Sequence, residues 1–429
     1  MKISILSVFP GIYENFLDTS LVKKAQEKEL VKFNLVSFMD FSDTKRIDAP
    51  SFGHGAGMLL KPEVVKKSIN FQENNHGKAF KIFFSPHGKK LDQKLLKNLA
   101  EKAIEQDHLI LIAGRYEGMD ARVEEEYADE IISIGDYVLM GGDLPAMVLL
   151  EGLLRFVPGI IGKQESVEHD SFSGPFVDYP EYTAPVEWHG QMVPEVLRSG
   201  NHAEIAKWRE NQAVKRSVAS HFDWVRSSEM SKSQENLVSS FIPNHYVALM
   251  HSDVMVNGVS GTSSVTSIDI HDISRSGATY GVKNFFIVTP LIDQKKIVET
   301  LLGFWKTGYG VDYNSNRHTA VKRAELVDTF QDVLNKIEET EGCKPLVIAT
   351  SAKGTESKRL LTYFDQSVVW KEKRPVLFIF GTAQGLSQDL INKCDYLLGP
   401  VRGFSNFNHL SVRSAVAIIL DRWLGINVK

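Results

Sequence analysis

The 429 residues suffice for two or three domains, each with a substantial core, and the 43% apolar and 24% charged content is that of an ordinary soluble globular protein. No apolar run has the length of a membrane span, and Met1–Ile5 opens a strand and not a signal peptide. The net charge of −4 divides unevenly, with 28 basic against 35 acidic residues in 1–240 and 21 against 18 in 241–429, so neither half has the basic excess of a nonspecific nucleic-acid binder. The two cysteines, Cys343 and Cys394, lack CxxC or zinc spacing, which suits reduced thiols in a cytoplasmic protein.

In chain order the first half predicts buried strands at Ile3–Val8, Lys81–Ser85, Leu109–Ala113 and Ile131–Ile134, with helices at Lys90–Gln106 and Pro145–Phe156. Residues 163–184, with Gly174, Pro175 and Pro180, form an interdomain loop, and the polar run 227–236 opens a linker. The second half repeats the pattern, with strands at Tyr246–Met250, Phe285–Thr289, Leu346–Thr350 and Val376–Phe380. Its helices fall near Gln294–Trp305, Val321–Glu339 and Val412–Leu424. Such alternation predicts an α/β fold in both halves.

Three features recur in order. Ser-x-x-Gly at Ser85–Gly88 and at Ser351–Gly354 follows a strand, as does Gly-x-x-x-Gly at Gly114–Gly118 and at Gly381–Gly385. Asp136–Leu139 is echoed by Asp395–Leu398; the three offsets are 266, 267 and 259 residues. A duplicated site of three loops is the expectation. Glycines at the carboxyl ends of parallel strands let backbone approach a nucleotide-like ligand. The chain has no phosphate-binding loop, and Gly53–Gly57 lacks the dinucleotide spacing. A ligand without phosphates whose adenine is read by backbone groups, such as S-adenosylmethionine, fits better.

The segments Gly53–Met58, Ser85–Gly88, Ala113–Asp120, Ser133–Met147 and Arg155–Gly159, then His169–Phe172, Asp178–Thr183 and Pro194–His202, occur in one order over the first half. In them the chain resembles the bacterial tRNA (guanine-N1)-methyltransferases. The resemblance implies a SPOUT-type, trefoil-knotted α/β methyltransferase domain, a helical tRNA-binding subdomain and a homodimer. It also implies methylation of the guanine 3′ of the anticodon, with S-adenosyl-L-methionine as donor. The family carries glycine where His54 stands and glutamine where His87 stands.

By that resemblance Asp170 is the catalytic aspartate and Arg155 the active-site arginine. Guanine N1 must lose a proton before it can attack the methyl group, and an ordinary aspartate, with a pKa of roughly 4, is a weak base for it. A cation near O6 stabilises the developing charge. The family allows Mg2+ to share this role, although no dedicated ligand cluster is evident. Cofactor contacts implied are Ser85, Pro86, Gly88, Gly114, Tyr116, Glu117, Gly118, Ser133, Ile134, Gly135, Tyr137, Leu139, Gly141, Gly142 and Pro145. Asp178 is the RNA contact, and Arg115 matches a cofactor or RNA contact. The run Glu124–Glu126 is an acidic helix face.

Asp272–Gly281, Phe380–Ser387 and Asn408–Ala415 resemble the three motifs of SpoU-type RNA methyltransferases. The second half is thus expected to be a second SPOUT domain, with Arg275 serving RNA and Gly381, Gly385, Leu398 and Ser411 holding the cofactor. It departs from the motifs at Thr382–Gln384, which replaces a glutamate, and at His409, where asparagine is usual. His409 and His251 are the candidate bases, while Arg402, Arg413 and Arg422 suit helix capping. The expected organisation is 1–162, a loop at 163–184, helices at 185–226, a linker at 227–242 and a second domain at 243–429. Two alternatives stay open here: a noncatalytic RNA-binding or dimerisation module in the second half, and a nucleotide-dependent enzyme with Rossmann-like halves.

Overall fold

The computed structural model describes all residues except 54, 56, 162–169, 354–358 and 428–429. His54, His169, Gly354 and the boundary expected at 162/163 therefore lie outside the described residues. The chain divides into two compact units, Met1–Ser173 and Gly174–Lys429.

The first unit is built on a parallel sheet of β1 (Lys2–Ser7), β2 (Lys32–Ser37), β5 (Phe80–Lys90), β6 (His108–Ile112) and β7 (Glu130–Ser133), in the order β2-β1-β6-β5-β7. A hairpin of β3 (Asp48–Pro50) and β4 (Met58–Leu60) stands apart from it. The continuous apolar run of β6 follows from burial on both faces. Its Leu109 and Leu111 join a core with the helices Gln93–Gln106 and Asp143–Leu154, while Ile110 and Ile112 join another with Pro62–His76. The first of these helices starts at Gln93, later than expected, because Lys89 and Lys90 still pair with β7 and the Asp92 carboxylate caps Leu95.

In the second unit, the order is β14-β13-β10-β17-β15-β18-β16, all parallel: β10 (His245–Met250), β13 (Asn284–Val288), β14 (Ala324–Val327), β15 (Leu346–Thr350), β16 (Leu360–Leu361), β17 (Val376–Gly381) and β18 (Tyr396–Leu398). The run β13-β10-β17-β15-β18 reproduces β2-β1-β6-β5-β7 of the first sheet, in chain order as well as in space. The repeat legible in the sequence is therefore a repeat of topology.

Two expectations are corrected. The helix expected over Val321–Glu339 is three elements: the end of Ser315–Val321, the edge strand β14, and the helix Phe330–Glu341. A reciprocal capping box between Thr329 and Asp332 starts the last of these, and β14 pairs with β13. The third echo was also misregistered. Phe84 pairs with Ile132, and Thr350 pairs with Leu398, so Leu398 is the counterpart of Ile132 and lies on a strand. Leu139 instead stands in a loop beyond β7.

Before the second sheet come a short antiparallel pair, β8 (Glu187–Trp188) and β9 (Gln191–Met192), and the helices His202–Ser220, Phe222–Ser227 and Lys232–Phe241. The last occupies the stretch expected as a linker, opened by a capping box between Ser231 and Gln234 and anchored by buried Val238. Val214, Val218, Phe222, Val225 and Val238 share one core with Val247, Trp370 and Trp423 of the second sheet and its helices.

Candidate functional site

In the first unit the expected cofactor residues lie in a bulge within β5 and in the segments that follow β6 and β7. Ser85–Gly88 bulges out of β5, since both Phe84 and Lys89 register against Ile132. A side chain at Gly88 would meet the backbone of Ile131 and Ile132 at 2.7 Å, so only glycine permits that approach. The Ser85 hydroxyl is 2.7 Å from His87 Nδ1, and His87 Nε2 lies 3.4 Å from Glu124. Burial raises the Glu124 carboxyl above the ordinary range, opposed by His87. Glu124 is therefore not a plain solvated face.

After β6 the chain turns sharply through Tyr116 at φ +60° and Gly118 at φ +110°. The Gly142 amide donates to the Gly114 carbonyl at 2.7 Å, and Arg115 bridges Gly141. A side chain at Gly141 would strike Arg115 at 2.5 Å, and one at Gly142 would press on Ala113 at 3.0 Å. The Glu117 amide donates to the Met58 carbonyl. Ser133 donates to the Gly135 carbonyl, and the Tyr137 hydroxyl to that of Ile134. Pro145 is buried in the first turn of the helix Asp143–Leu154, whereas Tyr116, Tyr137, Val138, Leu139 and Met140 project into solvent.

Asp143 organises these loops, a role that sequence reasoning missed although Asp143 lies within a quoted motif. It is 1% exposed, accepts from Ser7 Oγ at 2.6 Å and Tyr13 Oη at 3.0 Å, and binds Arg115 Nε at 2.7 Å. Arg115 also lies over the Phe9 ring at 5.1 Å. Nothing in the local sequence separates Asp143 from an ordinary first-turn acid; its partners are far away in the chain.

Arg155 closes the helix Asp143–Leu154, and its guanidinium is paired with Asp170. The structure thus brings together the two residues singled out for catalysis. Asp178 belongs to the second unit, where its carbonyl accepts from Arg216. Among the described residues no cluster of three His, Cys, Asp or Glu side chains is arranged to hold a metal ion.

The second unit builds an analogous set of loops. A side chain at Gly381 would collide with the Leu386 amide at 2.5 Å, and Gly385 adopts φ +100°. The hairpin β11 (Val254–Val256) and β12 (Val259–Gly261) braces this loop through Gln384 N–Met255 O and Met255 N–Gly385 O. Leu398 is buried on β18, and Ser411 caps the helix Val412–Leu424. Asn408 Nδ2 donates to the Ala352 carbonyl at 2.7 Å, tying the loops after β15 and β18 together. Arg275 is exposed on the helix Ser267–Thr279 with no ion pair among the described residues. Arg413, expected to cap its helix, instead pairs with Asp269 and Asp272 beside that arginine.

The two candidate bases differ. His251 is fully buried with Nδ1 on Ser263, and burial pulls it down to about 4, whereas His409 is exposed. Ser263 in turn meets Thr382 at 2.5 Å.

Comparison with known proteins agrees with this division. Residues 1–227 match the family model described as tRNA (Guanine-1)-methyltransferase TrmD, and residues 244–425 match one described as SAM-dependent RNA methyltransferase. A tRNA (guanine-N(1)-)-methyltransferase of Nitratidesulfovibrio vulgaris is 36% identical over 433 residues, covering 99% of both chains. One of Oleidesulfovibrio alaskensis is equally similar, at 36% with the same coverage. The Bacillus subtilis protein of the same name is 38% identical over 244 residues, which is 99% of its own length but 56% of this chain. With its duplicated sheet and glycine-lined loops, the chain belongs to the TrmD family of tRNA (guanine-1)-methyltransferases and carries a second, SAM-dependent RNA methyltransferase domain.

Proposed function

We propose that the first half methylates guanine N1 in tRNA, at the guanosine 3′ of the anticodon, and that the Arg155–Asp170 pair is its catalytic centre. The pairing of these two side chains, beside the helix that Asp143 locks to the loops, is the observation that carries the reading. The Ser85–Gly88, Gly114–Gly118 and Ser133–Pro145 loops suit S-adenosyl-L-methionine, because Gly88 and Gly142 let them pack directly on the backbone of Ile131–Ile132 and Ala113, where a side chain would clash. When bound, that group supplies an electrophilic methyl.

Asp170 takes the N1 proton. Arg155 holds the Asp170 carboxylate through its guanidinium and, with five donors, can also serve guanine O6 as negative charge develops there.

The exposed run Tyr137–Met140 beside the loops supports a homodimer that covers it. The hydrogen bond that draws Gly142 back onto Gly114 suits a trefoil-knotted SPOUT fold in the first unit, and the repeated strand order extends that reading to the second. No helix of the described residues is long and apolar enough to cross a membrane, and a cytoplasmic enzyme fits that. In the second half, Gly381, Gly385, Leu398 and Ser411 would hold the cofactor, and Arg275 would contact RNA.

Asp170→Ala should lower N1-methylguanosine formation by about 100-fold or more while S-adenosylmethionine still binds. Nucleoside mass spectrometry of a tRNA transcript, with calorimetry for the cofactor, measures both. Undiminished turnover would remove Asp170 from the mechanism.

A further inference from the structure

The helix His202–Ser220 has two unlike faces. Val214, Ser217 and Val218 are buried on one side, while Arg209, Lys215 and Arg216 are exposed. Arg209 and Arg216 lie roughly two turns apart, on the side away from Val214. Around them the segment 178–182 is laid along the helix. The Arg209 guanidinium sits 4.7 Å from the Tyr179 ring, Arg216 donates to the Asp178 carbonyl, and the Tyr182 and Trp208 rings are 6.3 Å apart. Tyr182 is exposed, while Tyr179 and Trp208 are half-buried. Aromatic rings interleaved with guanidinium groups are the chemistry that holds splayed RNA bases and backbone.

The other face is not a free-standing subdomain surface. The Phe222 ring meets Trp370 edge-on at 4.7 Å. Arg226, only 8% exposed, donates to the Arg422 carbonyl at 2.6 Å, and its own carbonyl accepts from Asn427 at 2.6 Å. Trp370 and Arg422 belong to the second methyltransferase domain. Its core and that of the helices are one cluster, so RNA gripped by Tyr179 and Arg209 is carried on the same body as the loops of Gly381 and Gly385.

We infer that the RNA substrate of the second domain is tRNA, presented to it by this basic, aromatic helix face. The inference rests on the reading that the first half methylates tRNA. In the second reaction a nucleophilic atom of the tRNA takes the methyl group. The electron pair of the broken carbon–sulfur bond stays on sulfur, and the proton displaced from the nucleophile passes to solvent.

The test uses the full chain, S-adenosylmethionine and a tRNA transcript containing 4-thiouridine. Photocrosslinked peptides and N1-methylguanosine are read from the same samples. The expected result is crosslinks in both 178–226 and 244–425. Arg209→Glu should weaken both sets together by about tenfold or more, with cofactor binding retained as the check on folding. Normal N1-methylguanosine with no crosslink in 244–425 overturns the inference and leaves the first-half activity standing. Crosslinks in 244–425 that survive Arg209→Glu overturn it too, because the second domain then binds RNA independently. Loss of both N1-methylguanosine and all crosslinks in the unaltered protein would sink the underlying reading and this inference with it.

Discussion

Asp143 shows how one side chain ties the fold to the site. Its carboxylate sits where the N-terminus of the helix Asp143–Leu154 favours negative charge, and it neutralises Arg115 while accepting from β1 and the following turn. Asp143→Ala would leave Arg115, with 20% of its side chain exposed, without its counter-charge. The expected cost is about 3 kcal/mol, together with weaker S-adenosylmethionine binding as the 114–118 turn loosens. Asp143→Asn keeps acceptors for Ser7 and Tyr13 and should cost less. Urea titration of both variants measures this, and equal stability of Asp143→Ala and the parent would deny Asp143 its organising role.

Between elements, docking of the C-terminal helix Val412–Leu424 on β10 depends on a neutral imidazole. His245 is buried, gives Nδ1–H to the Pro243 carbonyl and accepts from Trp423 Nε1 at 3.1 Å. Burial lowers it from 6.5 to about 4. Because the folded value is depressed, the unfolded chain takes up the proton first as pH falls. The associated stability is complete above about 6.5 and is lost between there and about 4. His245→Gln preserves an acceptor for Trp423 but has no proton to gain. Its stability deficit against the parent should therefore shrink by about 1.4 kcal/mol per pH unit below 6.5, measured by urea unfolding across that range. A deficit independent of pH would mean that His245 is not held neutral.

At the scale of the molecule, the family boundary near residue 227 and the physical boundary near residue 173 do not coincide. The apolar face of Val214, Val218, Phe222 and Val225, which belongs to the first half by descent, is covered by the second domain. A fragment of 174–429 should therefore melt cooperatively. A fragment of 243–429 loses the cover over Trp370 and should melt lower, with a loss of about 3 kcal/mol for the Phe222 contact alone. Calorimetry of the two fragments decides it; equal melting temperatures would show that the helices are passengers on the second core.

What the sequence by itself determined is the α/β alternation, the duplicated glycine loops and the pairing of family motifs, because each is written in a short window. Buried strands such as β6 are continuous apolar runs, and Gly88 and Gly381 mark close approaches that no side chain tolerates. Residues 32–37 escaped notice because an edge strand with Lys32 and Asn34 has no clean period. Residues 324–327 passed for helix because charged residues at Arg323, Glu325 and Asp328 imitate a solvated helical face. Tertiary structure alone decided that Arg155 meets Asp170, that Asp143 gathers Ser7, Tyr13 and Arg115, and that the helices 202–241 join the second core. Each depends on partners far apart in the chain or in separate elements, and local propensity carries no information about which distant surface will cover a given apolar face.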